Sequence, residues 1–374
     1  MSRLMRGTAA AASWMVGLSM LTAPSGGAEP PDAPPDTKAT TFRIHPGALP
    51  KGPPTAHPRL VGTTIRDGGF RRHVRAVAPY HAVWMRATMA KGYLLAAQPG
   101  PDERPHLWYV PRHGRAERLR TGAFDLGRTS PSGRVAVFQD WHGPERVQIR
   151  TIPGNRTIAT YVAKRRGTWI DVLDMRGRRA LLGVGSRVAW LSPRSNSLRP
   201  VVRRTGWWAS ARDNLLLTDE PRAKGGFAMV RLDNPHHVLW RRGMGGTSPM
   251  SISPDGRYLM TPIFDLRGSI ELRGVAIRRA RDGELVRRFR AEELDWGVAW
   301  AGRHHRFMVA AAGRSKTSLV RCRAAGGCER IGGTVPTRPG VSPGEALGVS
   351  FRAGSSDLAH HGHGRGLPQN ATLE

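Results

Sequence analysis

The chain has 374 residues, with 58 Lys and Arg against 28 Asp and Glu, a formal net charge of +30 and a hydrophobic fraction of 39%. This length holds two average domains or one large all-β domain, and the 45 Gly and 29 Pro lack the period of a collagen. The charge has two interpretations: affinity for a polyanion, or an arginine-rich composition spread over a solvated surface. Because the arginines run evenly from Arg43 to Arg352, we favour the second, with non-specific binding to anions and no specific nucleic-acid site.

The first residues have the pattern of an export signal. Arg3 and Arg6 precede an apolar stretch from Gly7 to Ala23, and small residues suited to cleavage after Ala28 follow. The stretch is short for a membrane anchor, which needs ~20 strongly apolar residues. We predict a signal peptide over 1–28, no transmembrane segment after its removal, and a secreted protein of the extracellular or cell-envelope space.

Proline marks the next segment. Prolines recur through residues 29–36 and 50–54, too densely for the interior of a strand or a helix. We predict a Pro-rich linker over 29–58 and, at the far end of the chain, a disordered His- and Gly-rich tail over 359–374.

A repeated pattern begins near residue 80. Its best copy contains the turn Ser253-Pro254-Asp255-Gly256 before an apolar strand and the hairpin turn Asp282-Gly283 between two alternating strands. Turn markers of six such units lie 41, 44, 37, 42 and 48 residues apart, at Gly92, Gly133, Gly177, Asn214, Gly256 and His304. This spacing is the size of one four-stranded propeller blade.

Two segments remain outside the six units. Leu60–Ile65 and Phe70–Val77, joined by a turn at 67–69, are typical of an outer hairpin, and Ala346–Phe351 is typical of an inner strand. Joined, they complete a seventh blade and close the ring; the alternative is six blades with flanking segments. We therefore predict an all-β fold, a monomeric β-propeller over 59–358 with seven blades (alternatively six) of four-stranded antiparallel sheets, and little helix.

The two cysteines, Cys322 and Cys328, flank a turn signal at Gly326-Gly327. We expect them to face each other across a hairpin. In an oxidising compartment such a pair forms a disulfide; two free thiols are the alternative.

The turn Ser253–Arg257 before an apolar strand resembles the repeats of TolB-like and WD40-like propellers, and Ser130–Arg134 is a looser copy. The resemblance covers residues 60–355, although the Gly-His and Trp-Asp signatures of WD repeats are absent. The hairpin bracketed by Cys322 and Cys328 is similar to outer hairpins of secreted actinobacterial propellers. These resemblances imply a binding or scaffold role and carry no catalytic residues over.

A search for chemistry gives no catalytic site. Gly340–Gly344 has the G-x-S-x-G form around Ser342, but the residue after such a serine must donate its backbone N–H to the oxyanion, and Pro343 has none. The candidate carboxylates for a glycosidase-type pair lie on predicted inner strands, and we expect each to pair with an arginine or to cap a turn. They are Asp125, Asp171, Asp174 and Asp295.

Histidine clusters indicate no metal site. His236-His237 and His304-His305 fall in predicted turns, and residues 360–363 fall in the predicted tail. A structured metal site needs ligands in fixed geometry, each held in its orientation by a hydrogen bond with a neighbouring group. We therefore predict no metal and no other cofactor.

Tryptophans recur at or near the strands that start each blade: Trp84, Trp169, Trp207, Trp208, Trp296 and Trp300. Because such strands line the channel of a propeller, these side chains are a candidate ligand platform. Packing between the blades is the interpretation we favour.

We therefore expect a secreted, non-catalytic propeller that binds or scaffolds a protein or an anionic cell-envelope polymer. The alternative is a carbohydrate-active hydrolase or lyase that uses carboxylates in the channel. Two or three carboxylates at the channel mouth favour the enzyme, and a channel filled by Trp and Arg favours binding.

Overall fold

Seven sheets follow one another in the computed structural model of this chain. The structure describes residues 40–53, 58–101, 103–119, 124–140, 145–165, 168–220, 226–243, 251–265, 271–295, 298–300, 305–338, 340–347 and 349–350. The predicted signal peptide and tail lie outside these residues. Within the described ranges, no helix has the length and apolar character needed to cross a membrane.

The described chain starts with five short strands and one turn of 3₁₀-helix. They are β1 (Thr41–Arg43), β2 (Lys51–Gly52), β3 (Arg59–Val61), β4 (Thr64–Asp67) and β5 (Phe70–His73), followed by the 3₁₀-helix Arg75–Val77.

Four regular blades come next, each with its strands in chain order from the inner to the outer edge of the sheet. Blade 1 consists of β6 (Ala82–Met89), β7 (Gly92–Gln98), β8 (His106–Pro111) and β9 (Glu117–Arg118). Blade 2 consists of β10 (Phe124–Thr129), β11 (Val135–Asp140), β12 (Arg146–Thr151) and β13 (Thr157–Val162). Blade 3 consists of β14 (Ile170–Arg176), β15 (Arg179–Val184), β16 (Arg187–Ser192) and β17 (Ser197–Val202). Blade 4 consists of β18 (Gly206–Ser210), β19 (Leu215–Glu220), β20 (Gly226–Arg231) and β21 (Val238–Gly243).

Two further blades and a short helix complete the described part of the chain. Blade 5 consists of β22 (Ser251–Ile252), β23 (Tyr258–Asp265), β24 (Glu271–Arg279) and β25 (Leu285–Arg290). Blade 6 has an inner strand in two pieces, β26 (Glu293–Leu294) and β27 (Ala299–Trp300), then β28 (Arg306–Ala312), β29 (Lys316–Arg323) and β30 (Cys328–Pro336). The last elements are the helix α1 (Pro343–Leu347) and β31 (Val349–Ser350).

The two ends of the described chain close the ring. Strand β31 pairs with β3 through Leu60 opposite Ser350 and Val61 opposite Val349, so blade 7 has the order β31-β3-β4-β5. The prediction of seven four-stranded antiparallel blades is confirmed. The predicted single strand Leu60–Ile65 is instead two strands, because Gly62, at a φ of 55°, turns the chain.

The predicted inner strand Ala346–Phe351 is also shorter than expected. Residues 346 and 347 belong to helix α1, so that only β31 remains as strand among the described residues. Pro343 starts this helix, in agreement with the preference of proline for a first helical turn.

The strand next to the inner one is buried on both faces in most blades. In β11 every residue is buried, as are the first six of the seven residues of β7. Each such strand lies between two neighbouring blades and therefore has a continuous apolar sequence without alternation. The core consists of apolar layers between adjacent blades.

Two turns from different blades form the same hydrogen bonds. Ser253 N–H donates to the Tyr258 carbonyl (2.8 Å), and Tyr258 N–H donates to Ser253 Oγ (2.9 Å). Ser130 makes the equivalent bonds with Val135, at 2.8 Å and 3.2 Å. In both turns the glycine after the proline has a positive φ, so the Ser-Pro-x-Gly sequence itself specifies this recurring turn.

The part of the predicted linker that the structure describes is a strap, residues 40–53. Its strand β1 pairs in parallel with β25 of blade 5, and β2 pairs in parallel with β30 of blade 6. Ile44, with 1% of its surface exposed, packs in the core between these blades. Arg330 donates from Nε to the Leu49 carbonyl (3.0 Å). The strap therefore joins the outer edges of two blades.

The cysteines lie where the sequence predicts them, at the ends of the hairpin between β29 and β30. Cys322 and Cys328 are directly opposite each other in register, and their sulfurs are 1.99 Å apart, at bonding distance. Both side chains are buried in the same core as Ile44 of the strap.

Candidate functional site

The inner strands of blades 1 to 4 share one irregularity. Each carries a register shift, which inserts a residue between the paired positions. The inserted residues are Arg86, Gly127, Leu173 and Trp207. A β-bulge of this kind redirects the side chains beside it.

Side chains at these bulges bond to the next blade around the ring. Arg86 Nη2 donates to the Leu126 carbonyl (3.3 Å), and Arg128 Nε donates to the Val172 carbonyl (3.4 Å). Through them, the inner strand of blade 1 is joined to that of blade 2, and that of blade 2 to blade 3.

Arg128 also reaches a blade that is not its neighbour. Its guanidinium carbon lies 4.8 Å from the centre of the Trp208 ring. Arg128 belongs to blade 2 and Trp208 to blade 4, so the contact crosses the inner edge of blade 3. An Arg over the face of a Trp is a cation–π contact, and Trp208 is only 4% exposed. Trp208 also belongs to the apolar cluster between blades 4 and 5, so Arg128 reaches the edge of that cluster.

Two of the four candidate carboxylates hold backbone groups. Asp174 Oδ2 accepts the Ala211 N–H (2.6 Å) in the turn of blade 4, and Asp295 Oδ2 accepts the Gly344 N–H (3.0 Å) at the start of α1. Asp171 is half-buried in β14. The side chain of Asp125 lies outside the described residues. Asp174 and Asp295 therefore have the capping role that the sequence predicts.

The six tryptophans of the candidate platform have different environments. Trp84 is 36% exposed on the inner strand of blade 1, whereas Trp208 and Trp300 are buried, at 4% and 8% exposure. Trp300 Nε1 donates to Ser251 Oγ of blade 5 (2.9 Å). Trp207 is half-buried against Phe227, with ring centres 5.7 Å apart.

The remaining two tryptophans are Trp169 and Trp296. Trp169 is half-buried just before β14, and Trp296 lies outside the described residues. The structure therefore distributes the described members over blades 1, 3, 4 and 6, with Trp84 the most exposed of them.

The remaining motifs singled out in the sequence are the serine motif around Ser342 and the histidine clusters. Ser342 precedes α1, and its carbonyl accepts the Ala346 N–H (2.9 Å). His305 Nδ1 lies 2.8 Å from Asp255 Oδ2 in the neighbouring blade, while His304 and the tail histidines lie outside the described residues. Among the described residues, no three His, Cys, Asp or Glu side chains are grouped as metal ligands.

Three shifted pKa values have structural causes. Burial, together with a hydrogen bond to Asp67 (2.7 Å), raises the pKa of Tyr93. A hydrogen bond from Arg231, supported by one from Asn214, lowers the pKa of Asp233 to about 2. Burial lowers the pKa of His106. None of these groups belongs to an inner strand, whereas Asp125, Asp171 and Asp174 do and Asp295 directly follows β26.

Sequence reasoning missed the arginines of the channel. Arg128 and Trp208 are 80 residues apart in the chain, and neither strand shows a motif that predicts their contact. Gly127, directly before Arg128, allows the close approach of Val172 from blade 3, whose Cγ2 lies 2.8 Å from where a Cβ of residue 127 would be. This glycine does not indicate the contact with Trp208.

No protein-family model matches the chain, and no curated protein matches its sequence. Solved structures with a similar fold include the β-propeller domain of Cps50 (Swd1) from Myceliophteria thermophila, at 12% identity and a TM-score of 0.46, over 74% of this chain and 89% of that one. TolB from Acinetobacter baumannii matches at 11% identity and a TM-score of 0.42, over 70% and 64%. A protein of unknown function from Desulfotomaculum acetoxidans matches at 13% identity and a TM-score of 0.48, over 76% and 100%. The likeness is one of fold.

Proposed function

We propose that this chain is an exported, non-catalytic binding or scaffold propeller whose partner is an anionic protein or an anionic cell-envelope polymer. The observation that carries the proposal is the contact of Arg128 with Trp208 in the central space. Inner-strand side chains that are engaged in contacts of this kind favour the loops and outer strands as the working surface, and loops on a rigid scaffold are where binding residues concentrate.

The charge balance supports an anionic partner. The carboxylates of Glu220, Asp67 and Glu329 are each paired with arginine: Glu220 with Arg241 at 2.8 Å, for example. With 58 basic against 28 acidic side chains, pairing of this kind leaves a surplus of positive charge. Such a surplus attracts anions over distances of about 10 Å at moderate salt.

Export is supported by two features of the chain. The first 28 residues have the pattern of a signal peptide, and the sulfurs of Cys322 and Cys328 lie at bonding distance. Disulfides persist in oxidising compartments outside the cytosol. The proposed location is therefore the extracellular or cell-envelope space, as a monomer.

The test is a binding titration with the full exported chain. We expect it to bind sodium polyphosphate or poly-L-glutamate and not neutral dextran, with an affinity that falls roughly tenfold or more between about 50 mM and about 200 mM salt, because binding releases condensed counterions. Fluorescence anisotropy of labelled polymers measures this. Equal affinity for dextran, or an affinity independent of salt, contradicts the proposal.

A further inference from the structure

One of the seven boundaries between blades lacks an apolar cluster shared by both blades among the described side chains. Six buried clusters each contain side chains from two adjacent blades. The cluster on the remaining side of blade 6 contains only that blade and helix α1, through Met308, Leu319, Ile331 and Leu347. We call the facing surfaces of blades 6 and 7 the seam. Among the described side chains, the strands of blade 7 give the seam no apolar cluster member.

Blade 7 presents arginines at the seam instead. Arg59, Arg66 and Arg71 lie directly opposite one another across β3, β4 and β5. Cross-strand partners share one face of a sheet. The other face of these strands carries Leu60 and Ile65, which pack on blade 1, so the arginine row faces blade 6.

Two members of this row, Arg66 and Arg71, have no acidic partner among the described residues, and Arg66 Nε is buried without a hydrogen-bond partner. The adjacent Asp67 points to the other face, where it bonds Tyr93 and Arg112. Like charges directly opposite each other in a sheet are destabilising.

Two further observations indicate that positive charge is crowded at the seam. Burial, with the positive charge of Arg66, lowers the pKa of Arg59, as expected where guanidinium groups crowd together. On the blade 6 side, the carboxylate of Glu329 is occupied by Arg321, at 2.7 Å, with Arg306 at 4.0 Å. Both walls of the seam are therefore rich in arginine.

We propose that the seam binds the oxyanion groups of a linear polyanion, with Arg66 and Arg71 as the principal contacts. This inference rests on the proposed function and locates it. Neighbouring strands lie about 4.8 Å apart, so the row presents closely spaced guanidinium groups from a half-buried position at Arg66 to an exposed one at Arg71. The guanidinium fork matches phosphate and carboxylate oxygens alike.

The experiment compares two double variants of the full chain with equal charge change. Arg66→Gln/Arg71→Gln alters the seam, whereas Arg176→Gln/Arg178→Gln alters exposed arginines of the blade 3 turn. We expect the seam variant to bind polyphosphate roughly tenfold more weakly, and to lower the slope of log affinity against log salt by about two, one for each lost contact. The turn variant should change the affinity by less than about twofold, as for charges that act only through the general field.

Parallel titrations with poly-L-glutamate distinguish phosphate from carboxylate as the group that the seam binds. The polymer for which the seam variant loses more affinity carries the preferred group. Equal losses in both variants overturn the seam site while leaving the proposed function intact. Wild-type chain that binds neither polymer overturns both. Thermal melting checks that the variants fold. The seam variant should melt no lower than wild type, because two like charges are removed. If the double variant does not fold, the single variant Arg71→Gln takes its place.

Discussion

Gly133 occupies a position that no other residue fits. Its φ is 61°, and a Cβ built there lies 2.4 Å from the backbone nitrogen of Ala90 in the turn of blade 1. The Ala90 N–H donates to the Gly133 carbonyl (3.1 Å). Turns of adjacent blades are therefore in backbone contact, and the glycine makes that contact feasible.

Gly133 and Gly177 share a left-handed backbone conformation, but only Gly133 contacts a neighbouring blade. Gly177 has the same φ of 61° but nothing within 4 Å of its hypothetical Cβ. We expect Gly177→Ala to cost about 1 kcal/mol for the left-handed backbone alone. Gly133→Ala should cost about 2 kcal/mol more, because the turns of blades 1 and 2 must separate. Urea denaturation measures both, and equal losses contradict the role of the inter-blade contact.

Only part of the candidate site is predictable from individual residues in the sequence. The excess of basic over acidic residues predicts that Asp174 and Asp295 either pair with an arginine or cap a turn, and both accept backbone N–H groups. The Arg128 contact with Trp208 and the arginine row of blade 7 depend on which strands become neighbours. Residues far apart in the chain give no local signal of such proximity.

At the scale of elements, the strap holds two blades that are already complete sheets. Ile44 enters the core between blades 5 and 6, and Phe42 packs on Phe289 with ring centres 6.0 Å apart. The strap adds parallel strands to the outer edges of both sheets. Covered edges are protected from pairing with other chains.

Truncation of the buried strap side chain tests this arrangement. We expect Ile44→Ala to lower the free energy of unfolding by about 2–4 kcal/mol, as for other fully buried isoleucines. The neighbouring side chain of His45 is exposed, so His45→Ala should change it by less than about 0.5 kcal/mol. Hydrogen exchange should show β1 and β25 opening more readily in Ile44→Ala. A loss as small as that of the His45 variant means that the strap contributes little.

The elements themselves were largely predictable, and the exceptions have a common cause. Apolar strands after positive-φ turns repeat at blade length, so six blades are visible in the sequence. The strap pairs through only three and two residues, with partners more than two hundred positions away. Segments so short show neither alternation nor a turn signal, and their proline content predicts a linker.

At the scale of the whole molecule, one short strand pair closes the ring. Strand β31 supplies the inner position of blade 7, and Leu347 of α1 covers Met308 and Leu319 of blade 6. No other pairing of the described residues joins blade 7 to the C-terminal part of the chain. The stability of the ring therefore depends on residues 343–350.

A chain that stops after Ser342 loses both α1 and β31. We expect it to lose roughly 3 kcal/mol or more, from ladder hydrogen bonds worth about 1 kcal/mol each and from the exposed apolar surface of blade 6. A chain that stops after Leu358, the end of the predicted propeller, should melt like the full chain. Circular dichroism melts compare the three. Identical melting of all three contradicts closure by β31.

The closure has a consequence for biosynthesis. Val61 pairs with Val349, so 288 residues (349 − 61) separate a strand made early from the partner made near the end. At ~5–20 residues per second, about 15–60 s pass between them. During that interval β3 has a free edge able to pair with other chains. A chain that ends before residue 349 therefore keeps that edge open.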